Sequence, residues 1–346
     1  MKLLTTKGDL SHALKTISPA INSNNSHPIL GCVLFDARNG EMTLTGFNMD
    51  LGISITTPAL VEKNGSLAMP YKLLANLTNR FEEDDAISIE NNLIKTLDGA
   101  YKVPFHDALD YPALPVVDSE SSELLLSDGV KACLPCTSKD ASKQILQGIH
   151  IANGYMEATD GHRMMRYAVD LPDGIDLVLP ANTMRLIQYQ AVTISADKGQ
   201  AVIVTDEGIT IFSRTLDGKY PDLISLIPKT FDHQIEVDRH RLLRCLERVA
   251  IVAEEHNSVV KVEANNGVLT ITAEADALNG AESMPYLDEG EGVWAFNVNY
   301  ILDALKAFRS HDYVVFMANG EKTPVVIKPK AAVDQTYLVM PVQVRQ

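Results

Sequence analysis

The stretch NGYMEAT, residues 153–159, recurs with small changes as NGEMTLT at 39–45 and as NGVLTIT at 266–272. Asn-Gly supplies the two positive-φ residues of a tight type I′ hairpin turn, and the alternation behind it buries one face of a strand. One such match is common. Here Gly40, Gly154 and Gly267 stand 114 and 113 residues apart in a chain of 346. That spacing implies a domain-sized unit used three times, far longer than the roughly 20–50 residues of a solenoid repeat.

The segments around the hairpins follow a shared plan: an opening amphipathic helix, the hairpin, a second helix, then more strands. Leu10, Ala13, Leu14 and Ile17 keep helical spacing behind Asp9 as N-cap, and Leu242, Cys245, Leu246 and Val249 do so behind Asp238. Second helices are predicted over 70–81, 180–190 and 297–308. The stripe Ile301, Ala304, Leu305, Phe308 is the clearest, and the middle copy is the weakest. Strands follow at 86–103, 201–220 and 312–328, the first two sharing TLDG-x-Tyr from Thr96 and Thr215. The pattern lapses at 116–129 and 226–238, which gives domains 1–117, 118–229 and 230–346. Two helices and many short strands per third predict an α+β domain with its helices on one face of antiparallel sheet.

Hydrophobic residues at 46% and charged residues at 22% describe a globular rather than a disordered chain. No apolar run approaches the roughly 20 residues that span a bilayer, and MKLLTTKGDL lacks the apolar core of a secretory signal. A cytoplasmic protein with no membrane partner is expected. The net charge of −15 argues against binding nucleic acid by attraction over the whole surface. Its distribution is uneven, however. The predicted helices carry Lys15, Lys72, Arg80, Lys131, Lys139, Lys143, Arg185, Arg241, Arg244, Arg248, Lys306 and Arg309, while acidic clusters fall in loops at 82–85, 118–123 and 286–292. Each such cation alone reads as a solvated helix face. If the helices share one surface, that surface is basic within an acidic shell, suited to phosphate contacts that position a duplex without reading its sequence.

Four cysteines are present, and CLPC at 133–136 superficially resembles the motif of thiol oxidoreductases. A redox reading asks for a preceding strand and a zinc reading for a second ligand pair. Val130, Cys133, Leu134 and Thr137 instead keep helical spacing, with Pro135 as an irregularity. Asp160, His162 and Arg163 are close in sequence but lack a nucleophile at defined spacing. No Gly-rich phosphate loop, zinc pattern or acidic metal constellation occurs. A non-catalytic protein without metal or cofactor is therefore expected. Two alternatives stay open on the residues alone: a thiol oxidoreductase built on Cys133 and Cys136, and a monomeric peptide-binding scaffold.

Five motifs in order carry a more specific likeness: HPILGCVLF (27–35), LTGFNMDLGISI (44–55), ATDGHRMM (158–165), FSRTLDGKYPDLISLIP (212–228) and YLVMPV (337–342). Over its whole length the chain resembles the bacterial sliding clamp family, the beta subunit of DNA polymerase III. The resemblance implies two subunits joined head to tail, with six similar clamp domains in a closed ring whose helices surround duplex DNA. Such a protein is a processivity factor, held by topology where direct attraction is weak, and a closing head-to-tail contact explains the need for repeated units. Implied interface positions are Tyr101, Val103, Ile251 and Val252. DNA-facing positions are Lys15, Lys72, Arg80, Lys139, Lys143, Arg185, Arg241, Arg244 and Lys306.

The resemblance also implies a hydrophobic pocket at which DNA polymerase, clamp loader and repair proteins insert short linear peptides. Its positions are Leu146, Thr159, Gly161, His162, Arg163, Met164, Pro221, Leu226, Pro324, Leu338, Val339, Met340, Pro341 and Val342. Methionines and aliphatics make an adaptable surface. Each buried anchor contributes roughly 1.5–3 kcal/mol, so two or three give exchangeable binding on the order of micromolar. Three departures stand out: Asn24 where the family often has a DNA-contacting Arg, Ser225 in place of a pocket-rim Arg, and a terminus that runs on as QVRQ.

Overall fold

The computed structural model describes the chain except residues 23–26, 84, 118–121, 173, 189–190, 198, 256, 276–277, 289, 332–333 and 344–346. Asn24 and the last three residues of QVRQ thus lie outside the described residues.

The order of elements repeats three times. The first copy runs β1 (Lys2–Thr6), α1 (Lys7–Ile17), β2 (Cys32–Arg38), β3 (Glu41–Phe47), β4 (Leu51–Pro58), β5 (Leu60–Lys63) and β6 (Gly65–Pro70). It continues with α2 (Tyr71–Thr78), β7 (Ala86–Glu90), β8 (Leu93–Lys95), β9 (Ala100–Lys102) and the two-residue β10 (His106–Asp107). The second comprises β11 (Ser122–Leu124), α3 (Ser127–Cys133), β12 (Gly148–Ala152), β13 (Tyr155–Thr159) and β14 (Arg163–Ala168). After these come β15 (Asp176–Pro180), α4 (Ala181–Leu186), β16 (Val192–Asp197), β17 (Gln200–Thr205) and β18 (Thr210–Arg214). The third comprises β19 (His233–Asp238), α5 (Arg239–Ala253), β20 (Val259–Asn265), β21 (Val268–Ala275) and β22 (Leu278–Pro285). It ends with β23 (Gly292–Asn297), α6 (Val298–Ala307), β24 (Tyr313–Ala318), β25 (Val325–Pro329) and β26 (Gln335–Val339).

The hairpins form as their sequence demands. Asn39 and Gly40 have φ of 54° and 83°, Asn153 and Gly154 of 53° and 77°, Asn266 and Gly267 of 48° and 77°. Each pair lies inside a two-residue loop, closed by Arg38↔Glu41, Ala152↔Tyr155 and Asn265↔Val268. The helices α1 and α5 bury the predicted stripes completely. Asp238 caps α5 through Arg241 N. The cap of α1 is Thr6 rather than Asp9: Thr6 Oγ1 accepts from Asp9 N at 3.1 Å, so Asp9 sits in the first turn, where its charge suits the helix dipole. The second helices of the first two copies are shorter than predicted at their C-terminal ends, α2 stopping at Thr78 and α4 at Leu186, while Pro70 and Pro180, the first residues of the predicted spans, are the N-caps. In α3 the regular helix stops at Cys133, and Leu134–Cys136 continues as a 3-10 turn, since Pro135 has no N–H for the α-helical ladder.

Two compact units result: Met1–Leu124 with Gln190–Thr215, and Leu125–Tyr189 with Leu216–Gln346. The division runs through the second copy and separates its helices and hairpin strands from β16–β18. The first unit holds the sheets β5-β1-β7-β8-β9 and β10-β6-β2-β3-β4-β18-β17-β16-β11. The second holds β15-β12-β13-β14-β26-β25-β24-β19 and β22-β21-β20-β23. Thus the third hairpin-region strand of one copy pairs with the last strand of the next, β4 with β18 and β14 with β26. Their counterparts β22 and β9 end their sheets among the described strands. No helix among the described residues is long and apolar enough to cross a membrane.

Candidate functional site

In the second unit the turn 159–163 is held by its own side chains. Thr159 Oγ1 donates to Arg163 O at 2.7 Å and accepts from Gly161 N, while Asp160 Oδ1 accepts from the backbone of His162 and Arg163. This fixes the start of β14, where Met164 stands opposite Leu338 and Arg163 opposite Val339. Met164 and Leu338 join Val178, Tyr220, Leu223 and Val326 in one buried cluster, against which Ile145, Leu146, Leu216, Ile227, Phe231 and Met317 pack. Leu146, Met164 and Leu338 are therefore brought together as the sequence implied, with Thr159 and Val339 also buried.

Beyond β26 the chain stays attached: Met340 N donates to His162 O at 2.9 Å and Val342 N to Ala295 O at 2.7 Å. Gly161, His162, Pro221, Leu226, Met340 and Val342 are exposed, and Pro324 and Pro341 are half-buried. Sequence reading missed Tyr220, Leu223 and exposed Ile224, although all three stand in the KYPDLISL segment that carries the family likeness. It also missed Val178 and Val326, whose only signal is strand alternation. Ser225 is exposed and turns back on its own loop, its Oγ donating to Asp222 O at 2.8 Å.

Arg163 departs from its implied role. Its side chain is 9% exposed and committed within the unit: Nε to Asp160 Oδ2 at 3.0 Å, Nη1 to Asp303 Oδ2 at 2.6 Å and to Tyr337 Oη at 3.2 Å, Nη2 to Pro135 O. Its guanidinium also lies 4.2 Å from the centre of the Tyr300 ring. These contacts make it a strut between β14 and α6 rather than a lining group with free donors.

Behind the apolar cluster, His150 stacks on Tyr220 with ring centres 4.7 Å apart. Its Nε2 is 3.0 Å from Asp176 Oδ1, and its Nδ1 faces Glu157 Oε2 at 3.4 Å. Burial works to lower the imidazole pKa, but the two carboxylates outweigh it and hold the group above its ordinary value. Burial works to raise Glu157, yet His150 and Arg166, whose Nε is 2.7 Å away, leave that carboxyl below its ordinary value.

Of the interface positions, Tyr101 on β9 is 39% exposed and Ile251 on α5 is 70% exposed, with Val252 half-buried. Val103 is 1% exposed and packs inside its own unit, a correction to its implied place on the surface. All nine DNA-facing positions are exposed. Lys15, Lys72, Arg185, Arg241, Arg244 and Lys306 lie on helices, and Arg80 just past α2. Lys139 and Lys143 are corrected from helix to the loop before the 3-10 turn Gln144–Gln147. A Cβ at Gly161 would come within 3.4 Å of Lys143 Nζ, which sets this lysine beside the 159–163 turn. Of the other cations on the predicted helices, Arg248 pairs with Glu282, Arg309, just past α6, pairs with Asp128, and Lys131 on α3 lies 3.9 Å from the same Asp128. Cys133 and Cys136 are fully buried, and burial pushes Cys136 up to about 12 and Cys133 well above its ordinary value. Neither is a reactive thiolate. Among the described residues no group of His, Cys, Asp or Glu is arranged to hold a metal ion.

The comparisons agree with one another. Residues 1–115 match the family model for the DNA polymerase III beta subunit, N-terminal domain, and residues 224–343 that for its C-terminal domain. The chain is 34% identical to the beta sliding clamp of Synechococcus elongatus over 100% of both chains, and 32% identical to that of Synechocystis sp. over 99% of both. The fold is that of the Bacillus subtilis DNA polymerase sliding clamp, with a TM-score of 0.90 at 23% identity over 100% of both chains. A Pseudomonas aeruginosa sliding clamp described as bound to griselimycin superposes with a TM-score of 0.87 at 21% identity, over 99% of this chain and 100% of that one. Fold and relatives together define a replication clamp subunit rather than an enzyme. The chain belongs to the bacterial beta sliding clamp family, the beta subunits of DNA polymerase III. It is a non-catalytic processivity factor, tethering polymerase and partner proteins to duplex DNA.

Proposed function

We propose that two copies close head to tail into a ring, β9 of one protomer adding to the edge of β22 in the other. The observation that carries this is the pattern of unmatched edges. Inside the chain the pairing β4·β18 and the pairing β14·β26 join successive copies, and only β22 and β9 are left without the equivalent neighbour among the described strands. Adding the five-stranded sheet to the four-stranded one gives nine strands, the size of the larger intrachain sheet. An exposed strand edge is a pairing template, and a head-to-tail pairing that closes gives a finite ring. Tyr101, Ile251 and Val252 supply its apolar contacts.

Three repeated domains, 1–117, 118–229 and 230–346, make six in the two-copy ring. Lys15, Lys72, Arg80, Lys139, Lys143, Arg185, Arg241, Arg244 and Lys306 face the enclosed duplex and touch phosphates without reading sequence. The exposed apolar residues Leu226, Met340 and Val342, with Gly161, His162, Pro221, Pro324 and Pro341, frame a docking site over the Met164–Leu338 floor. Short linear peptides of polymerase, clamp loader and repair proteins occupy it in turn. The griselimycin-bound clamp from Pseudomonas aeruginosa supports a site that takes small ligands. The protein works in the cytoplasm. Sedimentation equilibrium tests the closure: the wild-type chain has the mass of a dimer, and Ile251→Asp or Tyr101→Asp shifts it to a monomer. A wild-type monomer at every concentration refutes the ring.

A further inference from the structure

The strand β22 is unusual for a strand that packs on a helix. Its counterparts β4 and β14 are paired on both sides, whereas β22 has β21 on one side and no strand on the other among the described residues. Residues 280, 282 and 284 alternate toward α5. Met284 is buried, a Cβ at Gly280 would meet Val252 at 3.1 Å, and Glu282 lies between them. Glu282 accepts a fork from α5, Arg248 Nε to Oε1 at 2.6 Å and Arg248 Nη2 to Oε2 at 2.8 Å. Arg248 Nη2 also lies 3.6 Å from buried Cys245 Sγ. Exposed Ile251 follows one turn later on the same helix.

We propose that the Arg248–Glu282 fork is the positioning device of the ring interface, locking the edge strand β22 and the Ile251 surface of α5 into one pairing-ready body. The inference rests on the reading of β22 as the ring-closing edge. An edge that must stand free in water before closure cannot be held by an extended apolar face without inviting aggregation, and charge on an edge strand is the usual protection. A bidentate Arg–carboxylate pair is soluble and also geometrically specific, so it holds the strand in register while its outer backbone groups stay open. Neither residue is required to touch the partner subunit. Arg248 is thereby removed from the set of cations available to DNA.

A two-copy ring closes through two such junctions, so each substitution acts twice. The test compares dimer Kd by analytical ultracentrifugation for wild type, Arg248→Met, and the swap Arg248→Glu with Glu282→Arg. Arg248→Met is expected to raise Kd about tenfold, with an unchanged melting temperature when both are compared in the monomeric Ile251→Asp background, and the swap to restore Kd to within about twofold of wild type. In a protomer kept monomeric by Ile251→Asp, Arg248→Met should also speed hydrogen exchange of the β22 amides and leave β20 unchanged. A Kd for Arg248→Met within about twofold of wild type, or a swap that restores nothing, overturns the proposal. A wild-type chain that never dimerises fails earlier and separately, because it removes the edge-pairing reading itself.

Discussion

Arg163 Nη1 sits 2.6 Å from Asp303 Oδ2, joining residues 140 positions apart and fastening the first residue of β14 to α6. With Asp160, Tyr337 Oη and Pro135 O on the same guanidinium, the side chain is a hub beneath the 159–163 turn. The turn that carries His162 and the backbone bond to Met340 is therefore fastened to α6 by this part-buried ion pair, in addition to its own Thr159 and Asp160 bonds.

Arg163→Met leaves Asp303 and Asp160 without their cation in a largely buried setting and should destabilise the protein by about 3 kcal/mol. Arg163→Lys recovers only part of this, because a point charge cannot reach partners set around a planar fork. Denaturant midpoints at constant slope check both. Unchanged midpoints would show that the hub contributes nothing net.

Substitution at the hairpin glycines should cost the same thing three times. A Cβ at Gly40 or Gly267 would meet no atom within 4 Å, so Gly→Val there is resisted by the positive φ alone. Each is expected to lose roughly 1–3 kcal/mol, and Gly→Asn much less, since Asn tolerates this conformation. Thermal melts of the three single Val variants read the loss directly.

Leu226 is 52% exposed and Met340 39% exposed, so a charge at either leaves the fold intact. Leu226→Asp and Met340→Asp should each weaken a short apolar peptide by at least about tenfold while the unfolding midpoint holds. Calorimetric titration of the full chain decides it. Equal affinity in both variants would move the docking site elsewhere.

Stability should depend on pH from two sides around His150. The imidazole is held above its ordinary value of 6.5, so its stabilising contribution is complete below that value and is lost as pH rises through the raised one. Glu157 is held below its ordinary 4.5, so its contribution is complete above that value and is lost as pH falls through the lowered one. A plateau between the two follows. His150→Gln should flatten the alkaline decline, visible in denaturant midpoints between about pH 5 and 9, while keeping an acid decline. An alkaline decline that survives the substitution would assign it to other groups.

The sequence was most legible where a residue type answers a backbone demand. Asn-Gly at 39–40, 153–154 and 266–267 meets the positive φ of its turn, and the complete stripes of α1, α5 and α6 follow from burial of one face. Helix ends were less legible: the cap of α1 is Thr6 and not Asp9, and α2 and α4 stop at Thr78 and Leu186, short of the ends that their apolar spacing predicts. Exposure of single residues was hidden too. Tyr101 and Val103 both look like edge-strand residues, yet one faces solvent and the other the core. The pairings β4·β18 and β14·β26 leave no trace in composition, because they are made by backbone groups that every residue carries. For that reason the two free edges, and the role of Arg248 beside one of them, emerge only from the fold.

The most direct test of the ring is topological. The full-length protein is loaded onto nicked circular plasmid by its clamp loader with ATP, passed through a sizing column at moderate salt, and the plasmid is then cut once. An enclosing clamp co-elutes with the circle and is lost from the linear form. Equal retention on both forms would mean surface binding, and no retention on the circle with an active loader would mean that this chain does not encircle DNA.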